Sequence, residues 1–234
     1  MHVFIYNGRS SSDFGLILSG EDTWKKPLPD FERIQIPGRN GELILSNKRY
    51  HNVDIKYHVG IRRNFDTYFS TFMNFLLKEP GYHRLEDSYH PDYYRMAMLD
   101  KEVSPAPSAL NYGGTFDLIF SCMPQLYLKS GEWMQVLHSS GKIYNPTAYP
   151  ARPLLRIYGT GQILVGSGEM TISDNASYVD IDCEMEEAYR GSENMNQHLE
   201  LADGDFPTFT PGSNQISFGS GITRVEITPR WWCL

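Results

Sequence analysis

The chain has 234 residues, of which 41% are hydrophobic and 21% are charged, and its net charge is −7. This composition excludes a largely disordered chain, and the length allows one large β domain or two smaller domains. We expect no membrane anchor, because the longest uncharged apolar stretch, residues 69–77, is less than half as long as a membrane-spanning helix. The amino terminus resembles no secretory signal, so we expect synthesis in the cytoplasm.

Charge is distributed unevenly along the chain. Residues 1–145 contain 16 basic and 16 acidic side chains, whereas residues 146–234 contain five arginines, no lysine and twelve acids. The change falls at Pro146, which restricts the preceding residue to an extended conformation typical of a linker. The sequence therefore predicts two domains, residues 1–145 and residues 146–234.

The first 61 residues show patterns typical of β-strands. Residues 3–7 and 16–20 are apolar and flank a polar turn, so we expect them to form a hairpin. Residues 32–35 and 42–47 alternate around a Gly-rich tip, which predicts a second, protruding hairpin. Residues 53–61 continue as another alternating strand.

One segment changes to helical spacing, with apolar side chains recurring on one face at Phe65, Tyr68, Phe69, Phe72, Phe75 and Leu76. We expect Asp66 to cap the start of this helix and the Pro80-Gly81 pair to end it. Core packing against a sheet explains the aromatic stripe better than a ligand site does. Alternating segments 93–103 and 113–123 would complete that sheet, so the first domain is predicted to combine strands with one flanking helix.

The second domain is predicted to be an all-β sandwich. Its short alternating runs are separated by Gly, Asn or Asp turns at a spacing typical of sandwiches. These runs are residues 152–159, 161–166, 169–173, 177–185, 214–218 and 223–229.

An acidic run in this domain is the most enzyme-like feature of the chain. If residues 179–186 form one strand, the four acids at 180, 182, 184 and 186 share one face, and Val179, Ile181, Cys183 and Met185 share the other. Paired carboxylates on a strand are used by glycan hydrolases, which leaves a hydrolase using Asp180, Asp182 or Glu184 as one alternative. A solvated acidic face is the simpler interpretation.

No other segment predicts a catalytic, cofactor or metal site. A cluster of potential ligands occurs between residues 83 and 92, but its spacing matches no standard metal site; it comprises His83, Glu86, Asp87, His90 and Asp92. Phosphate-binding and nucleophile-elbow motifs are absent from the sequence. Cys122, Cys183 and Cys233 are widely spaced and predict no disulfide framework. The balancing acids argue against a sequence-specific nucleic-acid reader.

Read in order, several motifs resemble the distal tail proteins (Dit) of siphophages that infect Gram-positive hosts. In the first domain they are VFIYNGRSSSDFGL, IPGRNGEL, KEPGYHRL, PDYYRMA and GGTFDLIFSCMPQLY. In the second they are NPTAYPARPLLRIYGTG, YVDIDCEMEEAYRG, FPTFTPGSNQISF and VEITPRWWCL. The resemblance covers nearly all of the chain.

This resemblance implies a mainly β protein with a tail-tube-like β-barrel or sheet first, flanked by one helix, and a galectin-like β-sandwich second. It implies a homo-hexameric ring at the phage tail tip, between the tail tube protein and the tail-associated tip protein. Receptor-binding proteins attach to the second domain in some phages. The implied role is structural and non-enzymatic, without a cofactor, and places the protein in the virion.

We expect the tip of the protruding hairpin to reach a neighbouring subunit or ring, because it is polar, Gly-rich and lies between two apolar strands. Its residues are Pro37, Gly38, Arg39, Asn40, Gly41 and Glu42. An idle surface turn is an equally good interpretation. A wall-binding carbohydrate module in residues 146–234 is a further alternative. Trp231 and Trp232 could stack on sugars there. We favour a different arrangement, in which one of them faces the core and the other covers a neighbouring surface.

Overall fold

The computed structural model of the chain describes residues 2–108, 110, 112–173 and 177–234. The chain divides into two compact units, one of residues 1–126 together with Leu234 and the other of residues 127–233. This division lies 19 residues before the predicted one. The reason is strand pairing: the chain between 135 and 145 forms two strands that pair with strands near the end of the second unit.

The first unit contains ten strands and one α-helix in the described residues. They are β1 (Phe4–Tyr6), β2 (Arg9–Ser10), β3 (Leu16–Asp22), β4 (Pro29–Gln35), β5 (Glu42–Tyr50), β6 (Val53–Ile61), α1 (Phe65–Leu77), β7 (His83–Asp87), β8 (Tyr93–Met98), β9 (Ala106–Pro107) and β10 (Gly114–Cys122). The main antiparallel sheet has the order β2-β1-β7-β8-β10-β6-β3, and β9 pairs with β10. Strands β4 and β5 form a separate two-stranded sheet.

The core of the first unit lies between the main sheet and α1. Every second residue of β6 is buried, from Val53 to Ile61, as its alternating sequence predicts. The helix buries Phe65, Phe72 and Leu76 against this face. Among the described residues, β2 and β3 end the strand path without pairing to each other, so the sheet is open and the predicted barrel alternative is wrong.

Two local predictions for this unit are also wrong. β1 pairs with β2 and β7, whereas β3 pairs with β6, so the first two apolar segments do not form a hairpin. A 3-10 turn at Ser11–Phe14 redirects the chain between them. Asn64, in a left-handed conformation, occupies the N-cap of α1, and Asp66 lies inside the first turn, where the helix dipole still favours its charge.

The second unit is a two-sheet β structure. Its strands are β11 (Leu126–Leu128, which begins at the division), β12 (Gln135–Leu137), β13 (Gly141–Asn145), β14 (Leu154–Gly159), β15 (Gly161–Val165), β16 (Gly168–Ile172), β17 (Val179–Asp182), β18 (Glu187–Arg190), β19 (Glu193–Asn194), β20 (Leu199–Leu201), β21 (Gly212–Phe218), β22 (Ile222–Thr228) and β23 (Trp232–Cys233). Eleven of these strands form two sheets, with the orders β12-β22-β14-β17-β18-β19 and β13-β21-β15-β16-β20, and β11 pairs with β23. Buried residues from both sheets form one hydrophobic core.

The described part of the chain is therefore mainly β with a single α-helix, as predicted. No helix in that part has the length and apolar character required to cross a membrane.

Candidate assembly surface

The β4–β5 hairpin, here called the arm, is a long and largely exposed element of the first unit. All nine residues of β5 are exposed, and Asp30 is the one buried residue of β4. Directly opposed residues of an antiparallel pair point to the same face, so the register places Ile34 beside Leu43 and Glu32 beside Leu45 on one face. That face presents three large aliphatic side chains to solvent.

The arm tip contains all six residues predicted to make subunit contacts. The Arg39 backbone N–H donates to the Ile36 carbonyl oxygen at 3.1 Å, which closes a turn with Pro37 and Gly38 at its centre. Gly38 has φ 80°, as the third residue of a type II turn requires, and Pro37 is favoured just before it. Gly41, at φ 84°, returns the chain to β5 before Glu42. All six residues are exposed, and their role in assembly stays a prediction.

The base of the arm is held by a buried carboxylate. Asp30 accepts a hydrogen bond from Arg49 Nε at 2.5 Å, and His51 Nε2 lies 3.5 Å from its other oxygen. The hydrogen bond from Arg49 lowers the pKa of Asp30, and it outweighs the opposing effect of burial. The register shifts between Pro29 and Phe31, opposite Lys48 with its φ of 54°. A charged clamp and a bulge therefore set the direction in which the arm leaves the unit.

The structure changes the interpretation of the acidic run. Strand β17 ends at Asp182, and the predicted alternation through residue 186 is wrong because the chain turns there, with Glu186 at φ 57°. Met185 is exposed rather than inward. The turn is stabilised by Asp182, whose Oδ1 accepts the backbone N–H groups of Glu184 and Met185 at 3.0 and 3.1 Å.

The two acids that remain on β17 are buried and paired with arginines. Arg156 donates to both oxygens of Asp180 at 2.6 and 2.9 Å, and Arg230 donates to both oxygens of Asp182 at 2.6 and 2.8 Å. Burial raises the pKa of Asp182, but the hydrogen bonds from Arg230 and the backbone lower it further, so the net shift is downward. Each carboxylate is thus held by a two-pronged hydrogen bond from an arginine, an arrangement suited to structure rather than to proton transfer.

Four of the five predicted potential metal ligands have polar partners that are not metal ions. Asp87 accepts the Tyr57 hydroxyl at 2.7 Å, and His90 Nε2 lies 3.0 Å from the Thr23 hydroxyl. His83 Nε2 lies 3.1 Å from a backbone carbonyl oxygen, and Glu86 pairs with an arginine. In the described residues, no group of three His, Cys, Asp or Glu side chains could hold a metal ion.

The tryptophans divide between core and surface. Trp231 is buried in the second unit, as expected for one of the pair, and Trp232 stacks on Tyr149 at 4.6 Å while its Nε1–H donates to a backbone carbonyl oxygen. Trp24 and Trp133 are each about 70% exposed, and the sequence analysis did not predict this. Cys122 and Cys183 are buried, which raises the pKa of each thiol to about 12 and makes them inert.

Comparison with known proteins gives matches in structure alone. No family model matches the chain, and no curated protein matches its sequence. The crystal structure of Dit from phage SPP1, described as a paradigm of the hub adsorption apparatus in phages infecting Gram-positive hosts, aligns with a TM-score of 0.77 at 13% identity. That alignment covers 100% of both chains.

The activated baseplate of phage P2 also matches. Its structures with Ca and with Sr align with TM-scores of 0.51 and 0.52, at 8% and 9% identity respectively, over 97% of both chains. At such identities the similarity concerns the fold. It confirms the coarser prediction, a mainly β fold of the distal-tail type, which the chain shares over its whole length with SPP1 Dit.

Proposed function

We propose that this chain is the structural hub of a phage tail tip, a non-enzymatic subunit of a ring that joins the tail tube to the tip. The observation that carries the proposal is the alignment of the whole chain with SPP1 Dit. A fold alone does not fix a function, so the arm provides the second support. Its exposed aliphatic face, with Ile34, Leu43 and Leu45, is a surface that another protein is expected to cover.

The ring is a homo-hexamer in this proposal, and the arm tip, Pro37 to Glu42, contacts the neighbouring subunit. Closed rotational symmetry lets every copy use the same two surfaces, so no interface stays uncovered. The tail tube protein binds one side of the ring and the tail-associated tip protein binds the other. The second unit, a galectin-like sandwich, faces outward and supports receptor-binding proteins. The protein is made in the host cytoplasm and becomes part of the virion.

Light scattering over a concentration series, followed by negative-stain imaging, tests this proposal. We expect ring-shaped hexamers, or pairs of hexamers, for the natural chain. A variant carrying Ile34→Ser, Leu43→Ser and Leu45→Ser should remain monomeric and keep its circular dichroism spectrum, because these side chains are already exposed in one copy. The matched control, Met134→Ser with Val136→Ser, removes exposed apolar side chains from the second unit and should still form rings.

Two results would count against the proposal. Rings that persist in the arm variant would remove the arm from the interface. A natural chain that stays monomeric at every concentration, alone and with its tail-tip partner, would overturn the hub assignment. Cell-wall pull-down by the same monomer would then support the wall-binding alternative.

A further inference from the structure

The first unit has an open pocket of about 610 Å3 on the face of the main sheet, here called the β10 pocket. It is lined by residues of β10 and of the chain that connects β8 to β9. The polar side chains that line it include Ser19, His58, Glu102, Ser104 and Asp117. The arm, the metal-ligand cluster and the acidic run do not contribute to this lining.

The pocket lies where the main sheet is interrupted. β8 pairs with β10 only at Ser121 and Cys122, and β9 pairs with β10 only at Gly114 and Thr115. Between these points residues 99–105 leave the sheet, so the middle of β10 lacks a strand on this side.

The interruption leaves backbone groups of β10 without strand partners. The Met123 N–H donates to the Met96 carbonyl oxygen, so odd-numbered residues of this segment direct their backbone toward β8. By the same alternation, Asp117 and Ile119 direct their N–H and C=O groups toward the pocket. Residues 99–105, all of them described, provide no backbone hydrogen bond to these groups. The pocket thus offers donors and acceptors suited to an extended or turning polypeptide.

Two acids line the pocket, and only one of them has cationic partners in the described part of the chain. Asp117 is bound by Lys56 Nζ at 2.6 Å and by His58 Nδ1 at 2.5 Å. Glu102 is exposed and makes no ion pair or side-chain hydrogen bond with the described part of the chain. A cationic side chain from another molecule would complement it.

The arm tip has the matching properties. Arg33 pairs with Glu42, and Arg49 pairs with Asp30, but Arg39 has no such acid among the described residues. Arg39 is exposed at the end of the arm, within a turn whose residues are all exposed. The tip therefore presents an unpaired cation, and the β10 pocket presents an unpaired acid beside backbone groups that lack strand partners.

We propose that the arm tip of one copy docks in the β10 pocket of a second copy, with the Arg39 guanidinium facing the Glu102 carboxylate. This inference rests on the ring proposed above and names the surface that receives the arm. It assigns each copy one donor surface and one different acceptor surface, the head-to-tail arrangement that closes into a ring.

A charge-reversal cycle tests the pair. Arg39→Glu and Glu102→Arg should each raise the apparent dissociation constant of ring formation by about ten-fold or more, because each variant places like charges together. The double variant, Arg39→Glu with Glu102→Arg, should recover most of the lost affinity between subunits. Two control variants should form rings with the dissociation constant of the natural chain. They are Lys48→Glu, on the same arm, and Asp92→Arg, on the same unit but outside the pocket. Light scattering gives the constants, and circular dichroism verifies folding.

The possible outcomes separate the two proposals. Recovery in the double variant supports the pair. Single variants that associate like the natural chain, or a double variant no better than the singles, overturn the docking site and leave the ring intact. A natural chain that never associates overturns the ring and the docking site together.

Discussion

Two hairpins of this chain have similar patterns and opposite burial. In the β15–β16 hairpin, Ile163 lies opposite Met170, and each side chain is 1% exposed. In the arm, Ile34 lies opposite Leu43, and they are 39% and 38% exposed. Both are apolar pairs that face each other across an antiparallel ladder. The difference arises outside the hairpins, because β15 and β16 belong to a sheet that packs on a second sheet.

The arm lacks such a second layer. It is a sheet of two strands, and isolated two-stranded sheets have little stability of their own in water. Its geometry is maintained at the base by Asp30 and at the tip by the turn at Gly38. If the ring proposed above forms, it offsets the cost of exposing this aliphatic face, whereas the β15–β16 hairpin is stabilised within one chain.

The largest expected difference between the hairpins is in the free energy of unfolding. Ile163→Ala should lower it by about 2–5 kcal/mol, because the substitution removes buried methyl groups and leaves a cavity. Ile44→Ala, in the exposed arm, should change it by no more than about 0.5 kcal/mol in the monomer. Urea unfolding measures both. Equal effects of the two substitutions would show that the arm is packed in the monomer.

The arginine-paired carboxylates Asp182 and Asp30 provide a second comparison between the second unit and the arm. Asp182→Asn should destabilise the second unit by about 3 kcal/mol, because Arg230 would lose its buried, doubly hydrogen-bonded carboxylate partner. Asp30→Asn should cost clearly less, since the Arg49 side chain that pairs with Asp30 is mostly exposed to solvent. Urea unfolding of each variant measures the two effects.

The pH dependence follows from the lowered pKa of Asp182. A carboxyl group whose pKa is lower in the folded state stabilises fully above its ordinary value of 3.8 and loses that contribution as the pH falls further. The stability advantage of the natural chain over Asp182→Asn should therefore shrink below pH 3.8. An advantage that stays constant across this range would contradict the ion pair.

The sequence predicts strands well where one face is buried, as β6 and the strands of the second unit illustrate. It does not predict which strands pair. β1 and β3 are separated by a short polar turn, yet each pairs with a strand distant in sequence. Residues 183–186 alternate like a strand, but hydrogen bonds to Asp182 and the left-handed Glu186 form a turn instead. Both outcomes depend on long-range contacts that local patterns do not contain.

For the candidate site, the Gly-rich tip is visible in the sequence because its turn demands particular residues. The exposure of Ile34 and Leu43 cannot be predicted from the sequence, since their alternation is the same as that of a half-buried strand. Glu102 could not be singled out either. It becomes notable only when tertiary structure shows that the neighbouring acids, Asp54 and Asp117, have cationic partners.

The smallest expected effect concerns the arm tip. No atom lies within 4 Å of a Cβ added at Gly38, so Gly38→Ala introduces no clash, and its cost of about 1 kcal/mol comes from the positive φ alone. Gly219→Ala, at a position equally open but without a positive φ, should be nearly neutral. Gly38→Asn should fall between them, because asparagine tolerates the left-handed region. Hydrogen exchange of the amides around each substituted glycine measures this ranking. If the two alanine variants exchange alike, the turn does not fix the tip, and the tip would have to become ordered when it docks.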